Sequence, residues 1–406
     1  MNLINLSINI EKKQQFLYFI LYLTTYMGLG AYFVSLSPYI LHRFQEDSHY
    51  IFLSGQLAYP LGYFLSGWIS DKTKKLRIYG ILLSFFLFPL QNLLFDYHQP
   101  FWVILIVSGL VRFLFAALIQ ILQIAALEKI HYLGFSISRS AGTLGFLMIQ
   151  IFMFLLETFY FTQTPPLEII TSRGGKLSSY AHLFTLLLCI AILPEKRQSE
   201  SQYFFKEVLG IIKEQKIYTF FVISFFYYFA YQIIDFYLGR YFQLLGGMPF
   251  VYLGWILAVL LEIPFFFYSQ KFIFRYGLKT IFLLSLFSGF LRFFLMYFNS
   301  LYFDSQWILL TQFLHGIHFT GYMAGSIYFF HKKFPEKYFG TAFGLFMVVS
   351  LSLGSILGNF VYGHVLHLFS YKEGYKILFL ISFITFFILF LIKLVNKKID
   401  YLFQKL

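Results

Sequence analysis

Gly67-Trp68-Ile69-Ser70-Asp71-Lys72-Thr73-Lys74-Lys75-Leu76-Arg77 joins two long apolar stretches and decides how the rest of the chain is read. Lys72, Lys74, Lys75 and Arg77 follow directly on Asp71, at the end of the apolar residues 51–69, and the chain turns apolar again over 76–95. In a soluble protein such a basic cluster would suggest a polyanionic partner. Between two segments of about 20 residues each, enough to cross a bilayer, it marks a loop on the cytoplasmic side. The composition agrees with that reading. The chain has 406 residues, of which 59% are hydrophobic, 23% aromatic and only 12% charged, with a mean hydropathy of +0.71. A soluble domain carries about 25% charged residues, so an ordinary soluble enzyme is excluded. One cysteine, Cys189, excludes a disulfide scaffold, and the apolar content excludes disorder.

Outward from this loop, apolar spans recur along the whole chain, at 16–41, 51–69, 76–95, 102–127, 139–160, 177–193, 217–243, 249–270, 279–298, 306–330, 338–367 and 374–394. The first is too long for a cleaved signal peptide, and the gaps are too short for a further soluble domain. Of the 31 Lys and Arg, 23 fall in gaps or at span ends on the side of the Lys72–Arg77 cluster, five likewise on the opposite side and three (Arg112, Arg240, Arg292) well inside spans. The positive-inside rule puts the richer side, with both termini, in the cytoplasm, and an even number of spans requires the same. The net charge of +13 is therefore topological, and no nucleic-acid partner is expected. The expected fold is all-α and polytopic, with twelve transmembrane helices in two six-helix bundles, 1–193 and 217–406. Between them, 194–216 carries Phe204, Phe205, Val208, Ile211 and Ile212 at helical spacing. It reads as an amphipathic helix on the cytoplasmic membrane surface, a plain charged linker being the alternative.

The Gly67–Arg77 loop resembles the major facilitator signature G-x-x-x-D-[RK]-x-G-[RK]-[RK], with Lys74 where the second glycine is usual. Gly67 permits close helix approach, and Asp71 with Lys72 can latch the cytoplasmic side shut. The equivalent loop of the second half, Gln270–Lys279, keeps Arg275 and Gly277 but has Phe274 in place of the acid. Further stretches are similar to the major facilitator branch that groups lactose permease, phenylpropionate permease and nucleoside:proton symporters. They are Met27-Gly28-Leu29-Gly30-Ala31-Tyr32-Phe33, then Arg139-Ser140-Ala141-Gly142-Thr143-Leu144-Gly145-Phe146, and Gln312-Phe313-Leu314-His315-Gly316-Ile317-His318-Phe319. The resemblance implies alternating access driven by a proton gradient, with no other cofactor. It also implies roles in proton coupling for Glu262, Arg292 and His315, and a stacking aromatic at Phe146. The chain departs from the sugar permeases at His318 and Ile124, where they carry acids.

Ionisable groups within a bilayer are costly and therefore functional candidates. Arg112 lies near the middle of span 4, with Gln120 and Gln123 near the same face, a stripe expected to line the cavity. At about 1.5 Å per residue, Glu262 lies about 12 Å and Arg292 about 20 Å above the cytoplasmic ends of spans 8 and 9. The same count sets His315 level with Arg292, and His318 level with Glu262. An acid, an arginine and two histidines at matched depth suit proton handling, because carboxyl and imidazole can cycle while Arg cannot lose its charge. Asp235 and Arg240, toward the outer end of span 7, are expected to find partners on other helices, and Asp235 and Arg139 join the substrate-site candidates. Fixed positive charge at Arg112 and Arg292 favours an anionic or strongly hydrogen-bonding solute.

No metal-ligand set, phosphate-cradling loop or nucleophile triad is evident. The leading expectation is a monomeric secondary transporter in a cell membrane, the inner membrane of a bacterium. It would take up a nucleoside, sugar or aromatic acid with protons. A proton antiporter, a polytopic membrane enzyme and a non-transporting receptor stand as alternatives.

Overall fold

The computed structural model describes residues 2–130, 132–160, 166–196, 205–302, 306–369 and 371–395. Described backbone is almost entirely helical, as it must be where no water is present to satisfy peptide groups. The first half is built from α1 (Asn2–Phe44), α2 (Ser48–Thr73), α3 (Leu76–Leu94), α4 (Phe101–Lys129), α5 (Tyr132–Leu155) and α6 (Leu167–Ile192). A short helix, α7 (Phe205–Glu214), lies in the linker. The second half comprises α8 (Tyr218–Leu260), α9 (Glu262–Tyr276), α10 (Leu278–Tyr302), α11 (Gln312–Lys333), α12 (Glu336–Phe346), α13 (Leu353–Leu368) and α14 (Tyr371–Val395).

Nine helical runs among the described residues are long and apolar enough to cross a membrane. Two of them, Lys12–Ser70 and Tyr218–Tyr276, are 59 residues long and hold two expected spans each. The remaining expected span, 306–330, falls on α11 and a 3-10 turn, Gln306–Thr311, and is made less apolar by Gln312, His315 and His318. Span 7 and the first part of span 8, to Leu260, form the run α8, interrupted at Gly246–Gly247, where Gly247 takes a φ of +73° that an L-residue rarely adopts. Helix α6 starts ten residues before the expected span, because Arg173 and Lys176 were counted as loop charges. Arg173 instead pairs with Glu157 at 3.4 Å, inside the first half.

The two halves repeat one packing scheme. In the first, α1 packs on α5 and α6, α2 on α4, and α3 on α4 and α6. In the second, α8 packs on α13 and α14, α9 on α11, and α10 on α11 and α14. Across the interface α5 meets α8 and α9, while α2 meets α12 and α13, the two contacts being exchanged by the repeat. Within each half small residues set the closest approaches. A Cβ on Gly145 would stand 2.1 Å from the Leu23 carbonyl oxygen, so α5 rests backbone to backbone on α1.

In the linker, Val208 and Ile212 of α7 are buried while Leu209 is exposed. The helix also packs against α12. Its apolar stripe is thus used at least partly within the protein.

Candidate functional site

The second-half site begins with a break in span 8. Pro264 has no N–H to give the Leu260 carbonyl, so α8 ends there and α9 starts at Glu262. Glu262 is 6% exposed, and its Oε1 lies 3.2 Å from His315 Nε2 on α11. Gly316 makes that contact possible: a Cβ there would come within 3.0 Å of the Glu262 nitrogen and of the Leu261 Cβ. Arg292, fully buried on α10, donates from Nη2 to Gln312 Oε1 at 2.9 Å. Gln312 precedes His315 by one helical turn, so acid, histidine, amide and guanidinium form a contiguous set on three helices. His318 lies one turn further, 5.7 Å from His315 between ring centres, among Tyr227, Tyr231, Phe293 and Phe386.

The depth count therefore paired the wrong histidine with Glu262. It assumed an α-helical rise throughout span 10, whereas Gln306–Thr311 is a 3-10 turn. At about 2.0 Å per residue instead of about 1.5, six residues carry the chain about 3 Å deeper and bring His315, rather than His318, down to Glu262.

In the first half Arg112, 8% exposed on α4, lies over the Tyr59 ring at 5.3 Å and near Phe33 at 5.8 Å. Gly55 leaves room for its stem. Phe33 meets Trp255 of the second half edge-on at 5.4 Å, and Trp255 meets His315 edge-on at 6.2 Å. Phe146 also packs edge-on against Trp255, at 6.0 Å. A line of contacts thus runs from Arg112 through Phe33 and Trp255 to the His315–Glu262 pair. Gln120 does not share the level of Arg112. It sits beside Gly67, with Nε2 3.7 Å from where a Cβ would be, toward the C-terminal end of α2. Gln123 is half-buried a turn beyond.

Arg139, at the start of span 5, reaches across to the same set. Its guanidinium lies 4.4 Å from the Tyr26 ring centre and 6.0 Å from that of Phe266, one turn below Glu262. Tyr22, Tyr26, Tyr63 and Glu262 are all within its electrostatic reach. A fixed cation of the first half therefore faces the acid of the second. Asp235 lies on α8, and its side chain is outside the described residues. Arg240, expected to find a partner on another helix, donates to Gln243 on its own.

At the loop that opened the reading, the Asp71 side chain also lies outside the described residues. Lys72 lies over Trp68 at 5.3 Å, and Arg275 over Tyr276 at 5.3 Å, each within its own helix. The loop's backbone explains the signature's glycine. Lys74 ends α2 at φ 60°, ψ 12°, and Gly277 ends α9 at φ 84°, ψ 157°. The first is the left-handed well, which Lys can occupy at a cost; the second is essentially reserved for Gly. Arg77 binds the end of α6, donating to the Leu193 carbonyl at 2.7 Å and pairing with Glu195 at 2.9 Å. At the opposite end of α2 from this loop, Asn359 of α13 donates to the His49 carbonyl at 3.1 Å, and Phe52 packs edge-on to Tyr237 at 5.0 Å.

Sequence reading missed Gln312, Trp255, Tyr26 and Asn359. Trp255 carried a usable signal as one of only four tryptophans, lying within a span. Tyr26 was hidden among 32 tyrosines.

Solved structures similar to this fold include several transporters. A nucleoside transporter, NupG, superposes with a TM-score of 0.74 at 16% identity, covering 94% of this chain and 99% of that one. A peptide transporter, POT, in complex with alafosfalin gives 0.70 at 14% identity, over 97% and 96%. A D-xylose-proton symporter gives 0.69 at 11% identity, over 92% and 96%. No curated protein matches the chain in sequence. The family model described as the MFS_1 like family matches residues 16–377. With that match over most of its length, the chain belongs to the MFS_1-like family and is a multi-pass membrane transporter of the major facilitator type.

Proposed function

We propose that the chain is a proton-coupled symporter that takes up a small hydrogen-bonding organic solute, a nucleoside being the leading class, by alternating access. The observation that carries this reading is the buried Glu262–His315 contact at 3.2 Å. Its acid is faced from the other half by Arg139, and Arg292 bonds Gln312, one helical turn before His315. A carboxyl and an imidazole so placed can hold or release a proton, and three fixed cations (Arg112, Arg139, Arg292) hold the local charge balance steady meanwhile. Proton occupancy at Glu262 would then decide whether Arg139 is attracted across the interface or released, which links protonation to the relative position of the halves. The aromatic rings at Phe33, Phe146 and Trp255 offer flat surfaces between the halves, suited to a planar solute. The fold likeness to a nucleoside transporter and the Arg112 cation favour the same class. Both termini are assigned to the cytoplasm by the distribution of Lys and Arg.

Uptake into liposomes carrying the purified protein tests the reading. An inward proton gradient is imposed and nucleosides, xylose, dipeptides and aromatic acids are offered in turn. Accumulation of one class that follows the gradient is expected. Accumulation that runs against an outward solute gradient only when protons leave the vesicle would assign antiport instead.

A further inference from the structure

Helix α2 presents two stripes. Gly55, Ala58 and Gly62 face α4, where a Cβ on Gly62 would stand 2.3 Å from the Phe113 carbonyl oxygen. At 100° per residue, Phe52, Gln56, Tyr59 and Tyr63 fall on a second stripe roughly 60° wide, turned away from α4. That stripe faces the other half: Phe52 packs on Tyr237 of α8, and Tyr59, which also lies under the Arg112 guanidinium of α4, is within electrostatic reach of Tyr228 of α8. Gln56 is 3% exposed, yet neither Oε1 nor Nε2 has a hydrogen-bond partner. Across the interface Tyr228 of α8, 1% exposed, likewise has a hydroxyl with no hydrogen-bond partner. Its Cβ packs against Gly354, at the start of α13, a helix that α2 also contacts.

A buried amide left unbonded is costly, and a helix in lipid gains nothing from it unless something else bonds it. Gln91, also buried and unbonded, lies on the α3 stripe with Gly80, which packs on Leu193 and Cys189 inside the first half. It has no access to the space between the halves. Gln56 lies on the interface stripe, next in sequence to Gly55, which packs on the Arg112 stem, with Phe52 one turn before it and Tyr59 one turn after.

We propose that Gln56 is a specificity-determining residue that reads an adjacent donor and acceptor on a planar solute, with Tyr228 supplying a second polar contact from the opposite half. A carboxamide offers an acceptor oxygen and a donor nitrogen side by side, which matches the imide or amide edge of a nucleobase and does not match a hydroxyl-only solute. The inference rests on the reading of the chain as a carrier of such solutes.

The test uses the full chain in liposomes, with exchange of uridine and of 3-methyluridine, whose methyl group caps the imide N–H. The wild type should prefer uridine by at least about tenfold, as a site built to bond a polar edge rejects an analogue lacking it. Gln56→Met should bring that preference close to one by weakening uridine alone, while the melting temperature without solute holds or rises. Gln56→Glu, which keeps the volume and replaces the donor nitrogen by oxygen, should lose the preference as well and serves if the Met variant expresses poorly. A Met variant that exchanges both nucleosides with the wild-type preference overturns the assignment. So does a lowered melting temperature with both solutes affected equally, which would make Gln56 a packing residue. A wild type that exchanges xylose or a dipeptide but no nucleoside overturns the nucleoside reading itself, and this inference with it.

Discussion

Replacing Glu262 by Gln gives the sharpest test of the coupling site. Gln keeps the shape of the protonated acid and an oxygen within reach of His315 Nε2, 3.2 Å away in the wild type. The hydrogen bond can persist, so folded stability should change by no more than about 1 kcal/mol. Coupling should change completely. A proton gradient of one pH unit is worth about 1.36 kcal/mol, which for one proton per solute sustains about tenfold accumulation. With no carboxyl to release its proton, the variant should accumulate nothing beyond equilibrium, a ratio near one. Exchange of labelled for unlabelled solute needs no net proton movement and should continue at the wild-type order of rate. The assay is paired uptake and exchange on the same liposome preparation, with and without the gradient. Tenfold accumulation by Glu262→Gln would refute the argument and move attention to Asp235, another intramembrane acid.

Arg292→Lys keeps the charge but loses the planar fork that bonds Gln312 at 2.9 Å. A bond to a charged group contributes about 1.5–3 kcal/mol, so gradient-driven uptake should fall by about tenfold or more while exchange falls less, as read in the same paired assay. Asn359→Ala removes the bond to the His49 carbonyl at 3.1 Å that joins α13 to the start of α2. A loss of about 1 kcal/mol shifts a two-state population about fivefold toward opening at that end, measurable as a distance change between spin labels at the start of α2 and the end of α13. At the two equivalent turns, Gly277→Ala should destabilise by about 1–3 kcal/mol because its backbone lies where side chains are strained. Lys74→Gly should be neutral or slightly stabilising, relief of the left-handed cost being offset by added freedom in the unfolded chain. Thermal unfolding in detergent separates the two.

The sequence by itself determined the membrane class, the spacing of the spans, the unequal distribution of Lys and Arg between alternate loops and the identity of the buried ionisable groups. It could do so because a bilayer imposes a length of about 20 apolar residues per crossing and makes every exception costly, so Arg112, Glu262, Arg292, His315 and His318 stood out against a background of Phe and Leu. Tertiary structure alone decided which of these meet. A 3-10 turn at Gln306–Thr311 set the depth of α11 and so chose His315 over His318 for Glu262. Trp255 came to bridge the halves, and Gln56 to face the interface, through packing between segments far apart in sequence, which periodicity within one helix does not encode. The same holds for the glycine of the loop signature. Pattern marked Lys74 as a departure, but only the φ and ψ of the two equivalent turns explained why a side chain is tolerated at Lys74 and disfavoured at Gly277.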